Sequence, residues 1–183
     1  MKLKLTLQEC AFLSTRFNSS TWEENQKYRR EKLLQISNPN SDAEKPEKEK
    51  PFTCIYGVPL AMSQKIPCDK WIFICEMRND LNQICGIGLV QNRIYYDKYY
   101  LIYKDGNYNR HVYKGHYYIS RETILRHAPQ LLENIETILF KGKGHSKRGQ
   151  GFTSIPEKHF TTNPAFKNVK ADILSLFTSG IVE

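Results

Sequence analysis

The sequence predicts an α+β protein: a small curled antiparallel β-sheet or barrel flanked by helices, with an N-terminal helical arm. Three observations carry this. Alternating apolar runs crowd into residues 52–120, helix caps and helical periodicity lie on either side of them, and a proline- and charge-rich run separates the first 36 residues from the rest.

Leu3, Leu5 and Leu7 alternate with polar residues as in a short strand. Thr6 and Glu9 have capping-box spacing, which predicts a helix from there to about Arg16, broken at Asn18-Ser19-Ser20. Thr21 and Glu24 repeat the signal before a second helix over Trp22–Ile36, with Trp22, Leu33 and Leu34 as its packing residues. Residues 1–36 thus form the arm. Residues 37–51, SNPNSDAEKPEKEKP, contain three prolines and no large apolar residue, and predict a flexible linker.

Residues 52–183 form the main α+β domain. FTCIYG is a bounded strand. In KWIFICEM, Trp71, Phe73, Cys75 and Met77 fall on one side and Ile72, Ile74 and Glu76 on the other. A polar turn at residues 78–82 and the return QICGIGLV make a hairpin. NRIYYDKYYLIY and HVYKGHYYIS predict further strands around an Asp105-Gly106 turn. Ser120 caps a helix, Pro129 starts another, and Lys167–Thr178 is a last helix that ends before Gly180.

The net charge is +8 over 183 residues, and the isoelectric point is about 9.2. That excess points to polyanionic partners, nucleic acid first, with an acidic protein as the alternative. The chain opens without a signal-peptide pattern, and no apolar run nears the roughly 18 residues of a membrane span. Five cysteines without a CxxC pair read as small apolar residues of an intracellular protein in cytoplasm, nucleus or virion. No membrane partner is expected, and the oligomeric state is open.

Lys141 to Gly151 is the most informative segment. Lys141, Lys143, Lys147 and Arg148 are cations and His145 can become one, with four glycines interleaved. Glycines let backbone N–H groups approach an anion, and the cations supply charge to phosphate oxygens. The P-loop pattern GxxxxGK[ST] does not occur, so nucleotide hydrolysis is not expected.

A second feature is the run from Tyr95 to Tyr118, where nine tyrosines alternate with Lys104, Arg110, Lys114 and other basic residues. Stacking a base on an aromatic ring is worth roughly 1–3 kcal/mol. Tyr108 and Tyr113 are candidates for this role, and Trp71 is a third, although strand aromatics also fill cores. The histidines and cysteines lack metal-ligand spacing, and no metal or cofactor is expected. Catalysis has weak support. The alternative to binding alone is a metal-dependent nuclease that would gather Glu76, Asp97 and Asp105 beside Lys143, although Asp80 and Asp105 sit where turns favour Asp.

KWIFICEM, the polar turn and QICGIGLV resemble the PUA-like superfamily of EVE, ASCH and YTH domains, over residues 52–120. The resemblance implies a small barrel that binds RNA, or a modified base in an aromatic pocket, with Trp71 and some tyrosines as pocket candidates. YKDGNYNRHVYKG and LFKGKGHSKRGQGFTSIP are similar to uncharacterised proteins of large nucleocytoplasmic DNA viruses. The expected function is non-catalytic nucleic-acid binding, with RNA or single strands favoured over duplex DNA. The alternative is a structural or interaction protein, a virion component or adaptor, with a basic docking surface.

Overall fold

The computed structural model describes residues 3–37, 52–141, 145, 147 and 149–181. The linker expected at 37–51 lies, apart from Ser37, outside the described residues.

The N-terminal residues depart from the expected helix. The capping box forms, with the Glu9 carboxylate accepting from the Thr6 amide at 2.8 Å, but it closes a single 3-10 turn. The next element is strand β1 (Cys10–Phe17), not a helix. Its two faces both carry large apolar groups: Phe12 on one, Leu13 and Phe17 on the other. A strand buried on both sides needs such a sequence. Helix α1 (Ser19–Ser37) begins two residues after β1 ends, capped by Asn18, whose Oδ1 accepts from the Thr21 amide at 2.9 Å.

Strands β2 (Cys54–Val58), β3 (Trp71–Arg78) and β4 (Gln83–Gln91) come next in the chain, then β5 (His111–Gly115) and β6 (Tyr117–Ser120). They lead into helices α2 (Arg121–His127) and α3 (Pro129–Phe140). Strand β7 (Thr153–Ser154) and helices α4 (Lys158–Thr161) and α5 (Val169–Thr178) complete the order.

The main sheet has the order β6-β4-β3-β1-β7, and β2 pairs with β5 in a separate two-stranded ribbon. Neither closes into a barrel, so the fold is α+β with open sheets. β3 and β4 form the hairpin that the sequence predicts, whereas β1 runs parallel to β3. Parallel neighbours need a long crossover, and α1 and β2 lie within it. The N-terminal residues are therefore built into the sheet and its crossover rather than standing apart as an arm.

β3 is wholly buried between Ile72 and Met77, and its alternation sorts the core. Phe73, Cys75 and Met77 face the layer of α2, α3 and α5; Ile72 and Ile74 face the β2–β5 ribbon. Residues 92–103, expected as a strand, form an irregular segment with one bridge, Tyr95 to Val112. Its backbone is satisfied by a side chain: buried Asn109 accepts from the amides of Ile102 and Tyr103 and donates to the Tyr103 carbonyl. Asp105-Gly106 opens a 3-10 turn over Gly106–Asn109, capped by the Asp105 carboxylate.

α1 is held by polar groups. Its least exposed residues are Asn25 and Arg29, one turn apart, while Leu33 and Leu34 are exposed. The Arg29 Nη1 donates to Glu76 Oε1 at 3.2 Å, and its Nε and Nη2 donate to the Thr53 carbonyl at 3.0 and 2.8 Å. Tyr56 and Tyr118 hydroxyls donate to the two oxygens of the same carboxylate at 2.8 and 2.9 Å. The Arg29 guanidinium lies 4.2 Å from the centre of the Tyr118 ring. Asn25 donates to the Ile55 carbonyl and the Tyr103 hydroxyl.

All five cysteines are free thiols, but they do not share one environment. Burial pushes the Cys54 and Cys75 thiols up to about 12, whereas Cys68 is exposed and departs from the expected apolar role. Only the thiolate reacts. With a disulfide reagent at pH 8, Cys68 is expected to label at the rate of a free thiol, and Cys54 and Cys75 only on unfolding. Equal rates at Cys68 and Cys75, read by peptide mass mapping, contradict this packing.

No helix among the described residues is long and apolar enough to cross a membrane.

Candidate functional site

A cleft of about 200 Å³ opens where β1 ends and α1 begins. Its walls come from separate parts of the chain: Thr15, Arg16 and Asn18 from the β1–α1 junction, Asn79 from the β3–β4 turn, Tyr108 from the 3-10 turn, and Gly151 from the glycine-rich loop. Drug-sized ligands occupy sites of about 300–1,000 Å³, so this volume suits a smaller fragment such as a phosphate or one base.

Arg16 dominates the electrostatics. Its Nη1 donates to the Lys147 carbonyl, while its Nε is buried without a partner. Among the described residues no carboxylate pairs with it. Burial draws its pKa down and Tyr108 acts in the opposite sense, yet an arginine stays charged at neutral pH. The result is a partly desolvated cation with no acid of its own. The α1 N-terminus beside it adds the positive end of a helix dipole.

Asn79 repeats the pattern. Its Nδ2 donates to the same Lys147 carbonyl at 3.2 Å, and its Oδ1 is buried and unpaired. An unpaired buried acceptor is costly unless a ligand or water meets it. Arg16 and Asn79 together pin the glycine-rich loop to the cleft. Gly151 then turns with φ at +66°, a conformation that favours glycine, and brings its backbone to the cleft wall.

The predicted residues fall in different places. Tyr108 lines the cleft, half-buried, with its ring 6.0 Å from that of Tyr103. Lys104 and Arg110 flank it, exposed, on either side of the 3-10 turn. Lys147 is half-buried against Phe140, His145 accepts from the Lys147 amide through Nδ1 at 3.3 Å, and Lys141 is exposed at the end of α3. Lys143 and Arg148 lie outside the described residues.

Two assignments are corrected, and a third residue lies away from the cleft. Tyr113 is 0% exposed, packs edge-on against Phe152, and its hydroxyl accepts from the Met62 amide at 2.9 Å, so no base reaches it. Lys114 is buried, with Nζ donating to the Tyr100 hydroxyl at 2.8 Å and lying 4.1 Å from the Tyr95 ring centre. It supports the aromatic segment from below and adds nothing to a surface track. Trp71 is half-buried against the helical core and pairs with Cys10, six residues and about 20 Å along β1 from Arg16.

The acids of the nuclease alternative are occupied structurally. Glu76 is 0% exposed inside the Arg29 network. Asp97 accepts the Tyr100 hydroxyl on both oxygens at 2.8 Å, and Asp105 caps the 3-10 turn. Among the described residues no group of three or more His, Cys, Asp or Glu side chains gathers as metal ligands do.

No protein-family model, curated protein or solved structure matches this chain.

Arg16 and Asn79 are cleft residues that the sequence pattern does not single out. Arg16 lies in a segment whose capping box predicts a helix, and Asn79 in one that reads only as a turn. The alternation of CAFLSTRF is the available signal for a strand ending at a cation, and the capping box upstream outweighs it.

Proposed function

We propose that this chain binds nucleic acid without catalysis, seating one nucleotide in the Arg16–Tyr108 cleft. The phosphate lies towards Arg16 and the backbone of the glycine-rich loop, and the base lies against Tyr108. The observation that carries this reading is Arg16: a partly buried cation with an unpaired Nε and, among the described residues, no carboxylate, facing a cleft sized for a phosphate or one base beside a tyrosine. A site of that kind is built for an anion with a flat face. Lys104 and Arg110, exposed on either side of the turn that carries Tyr108, supply positive surface beside it. The net charge of +8 favours the same ligand class.

Fluorescence anisotropy with labelled single-stranded RNA, single-stranded DNA and duplex DNA across a salt series tests it. Affinity is expected to fall steeply with salt. Arg16→Ala is expected to weaken binding about 10-fold or more, because it removes a charge-assisted bond. Tyr108→Ala is expected to weaken it about 5-fold or more. Binding that ignores both substitutions and the salt concentration overturns the reading. Salt-insensitive capture of an acidic protein, with no nucleic-acid binding, instead favours the structural or adaptor role.

A further inference from the structure

The irregular segment between Arg93 and Arg110 presents two rings that the core does not use. Tyr96 and Tyr99 are each 71% exposed, and Leu101 beside them is 64% exposed. Their neighbours in sequence behave differently: Tyr95 is half-buried, while Tyr100, Ile102 and Tyr103 are buried. The segment is therefore anchored from within by Tyr100, Tyr103 and Asn109 and holds its outer rings on a fixed base. Exposing two large rings on an ordered segment loses burial that each could otherwise contribute.

Tyr99 lies beside the turn that carries Tyr108, and Tyr96, three residues earlier, borders a separate depression with Met62, Ile66 and Asn92. The Tyr99 hydroxyl is 3.7 Å from the position a Cβ would take on Gly106, the first residue of the 3-10 turn that carries Tyr108. One side of that turn faces the cleft through Tyr108 and another meets Tyr99.

The charges nearby favour an anionic partner. Asp97 is engaged by the Tyr100 hydroxyl and Asp105 by the Asn107 amide, so both acids serve the fold. The Lys104 ammonium and the Arg110 guanidinium are exposed and pair with no acid among the described residues. Glu24 also reaches this turn, its carboxylate accepting from the Lys104 backbone amide at 3.3 Å, so the acids here are held by the fold while the two cations stay exposed.

We infer that Tyr99 and Tyr96 form a stacking platform for the nucleotides that flank the one in the cleft, and that the bound nucleic acid is single-stranded. This rests on the proposed seating of a nucleotide between Arg16 and Tyr108. The strand leaves Tyr108, crosses the 3-10 turn between Lys104 and Arg110, and lays successive bases on Tyr99 and then Tyr96. Every base has a face to stack, so the platform carries little base preference. A duplex keeps its bases stacked on one another and gains nothing from these rings.

Anisotropy with a labelled mononucleotide, a longer unstructured oligouridine strand and a duplex of equal length tests the platform. The variants are Tyr96→Ser/Tyr99→Ser, Tyr96→Phe/Tyr99→Phe and Arg16→Ala, each checked for unchanged thermal unfolding. The serine pair is expected to bind the mononucleotide as the parent does and the long strand about tenfold or more weaker. The phenylalanine pair is expected to keep the long-strand affinity, because stacking needs the ring and not the hydroxyl. Arg16→Ala is expected to weaken both ligands. Unchanged long-strand binding by the serine pair, with Arg16→Ala still weakening both ligands, overturns the platform and leaves the cleft standing. A duplex bound as tightly as the single strand also overturns it. Failure of the parent protein to bind any strand overturns cleft and platform together.

Discussion

Arg29→Ala is expected to lower the unfolding free energy by about 3–5 kcal/mol, a large share of the roughly 5–15 kcal/mol that holds a domain of this kind together. The reason is the carboxylate it leaves behind. Glu76 is 0% exposed, and without the guanidinium it keeps only the Tyr56 and Tyr118 hydroxyls as partners. Burial opposes the Arg29 charge, but Glu76 more than restores it, and the guanidinium is held above its ordinary pKa. The Thr53 carbonyl also loses two donors. Urea unfolding followed by tryptophan emission measures the effect and adds a local readout, because Trp22 sits on α1 with its ring 5.3 Å from Phe17. Loosening of α1 is expected to shift Trp22 emission to longer wavelength before the main transition. Replacing both charges, in Arg29→Met/Glu76→Gln, is expected to cost less than Arg29→Ala alone, because no unpaired charge stays buried. A loss within about 1 kcal/mol for Arg29→Ala contradicts the picture, since that is the range of solvated surface pairs.

That network also shows why the fold is only partly legible in the sequence. The β3–β4 hairpin announces itself because its apolar alternation, polar turn and return strand are local signals. The Ser120 cap of α2 and the Pro129 that starts α3 are equally local and lie where expected. The position of α1 is legible but its inner face is not, because that face is Asn25 and Arg29 while Leu34 is exposed. Hydrophobic periodicity cannot find a helix whose buried groups are polar and whose partners are carbonyls and a carboxylate far along the chain. β1 is hidden for a different reason. Thr6 and Glu9 do make their reciprocal contact, but tertiary pairing with β3 takes over one residue later. Residues 92–103 read as a strand because the sequence does not show that one side chain, Asn109, satisfies backbone groups that would otherwise need a neighbouring strand. The candidate site is legible in composition and not in assembly. Tyr108 and the glycine-rich loop stand out as residues, but Arg16 and Asn79, which bring the loop to the cleft, have roles that only the parallel β1–β3 pairing creates.

Gly88→Ala is expected to cost about 2–5 kcal/mol, although it adds one methyl group. A Cβ there would stand 2.1 Å from the Tyr56 hydroxyl and 2.8 Å from the Cys54 sulfur. Both are 1% exposed or less, so neither has room to move aside. The Tyr56 hydroxyl must then leave Glu76, to which it donates at 2.8 Å. The methyl group thus adds overpacking and also removes a donor from a buried charge. Tyr56→Phe removes only the donor and is expected to cost about 1.5–3 kcal/mol. The double variant Gly88→Ala/Tyr56→Phe is expected to be more stable than the sum of the two losses by about 0.5–3 kcal/mol, because the oxygen that the methyl group meets is gone. Additive losses in urea unfolding contradict the shared space. The test bears on function as well as packing. Glu76 ties α1 to the sheet through Arg29, and the N-terminal end of α1 forms a wall of the cleft. A glycine on β4 therefore keeps room for the tyrosine that completes this buried network. If the cleft binds a nucleotide as proposed, a Gly88→Ala protein that still folds is expected to bind more weakly without having lost any residue that touches the ligand.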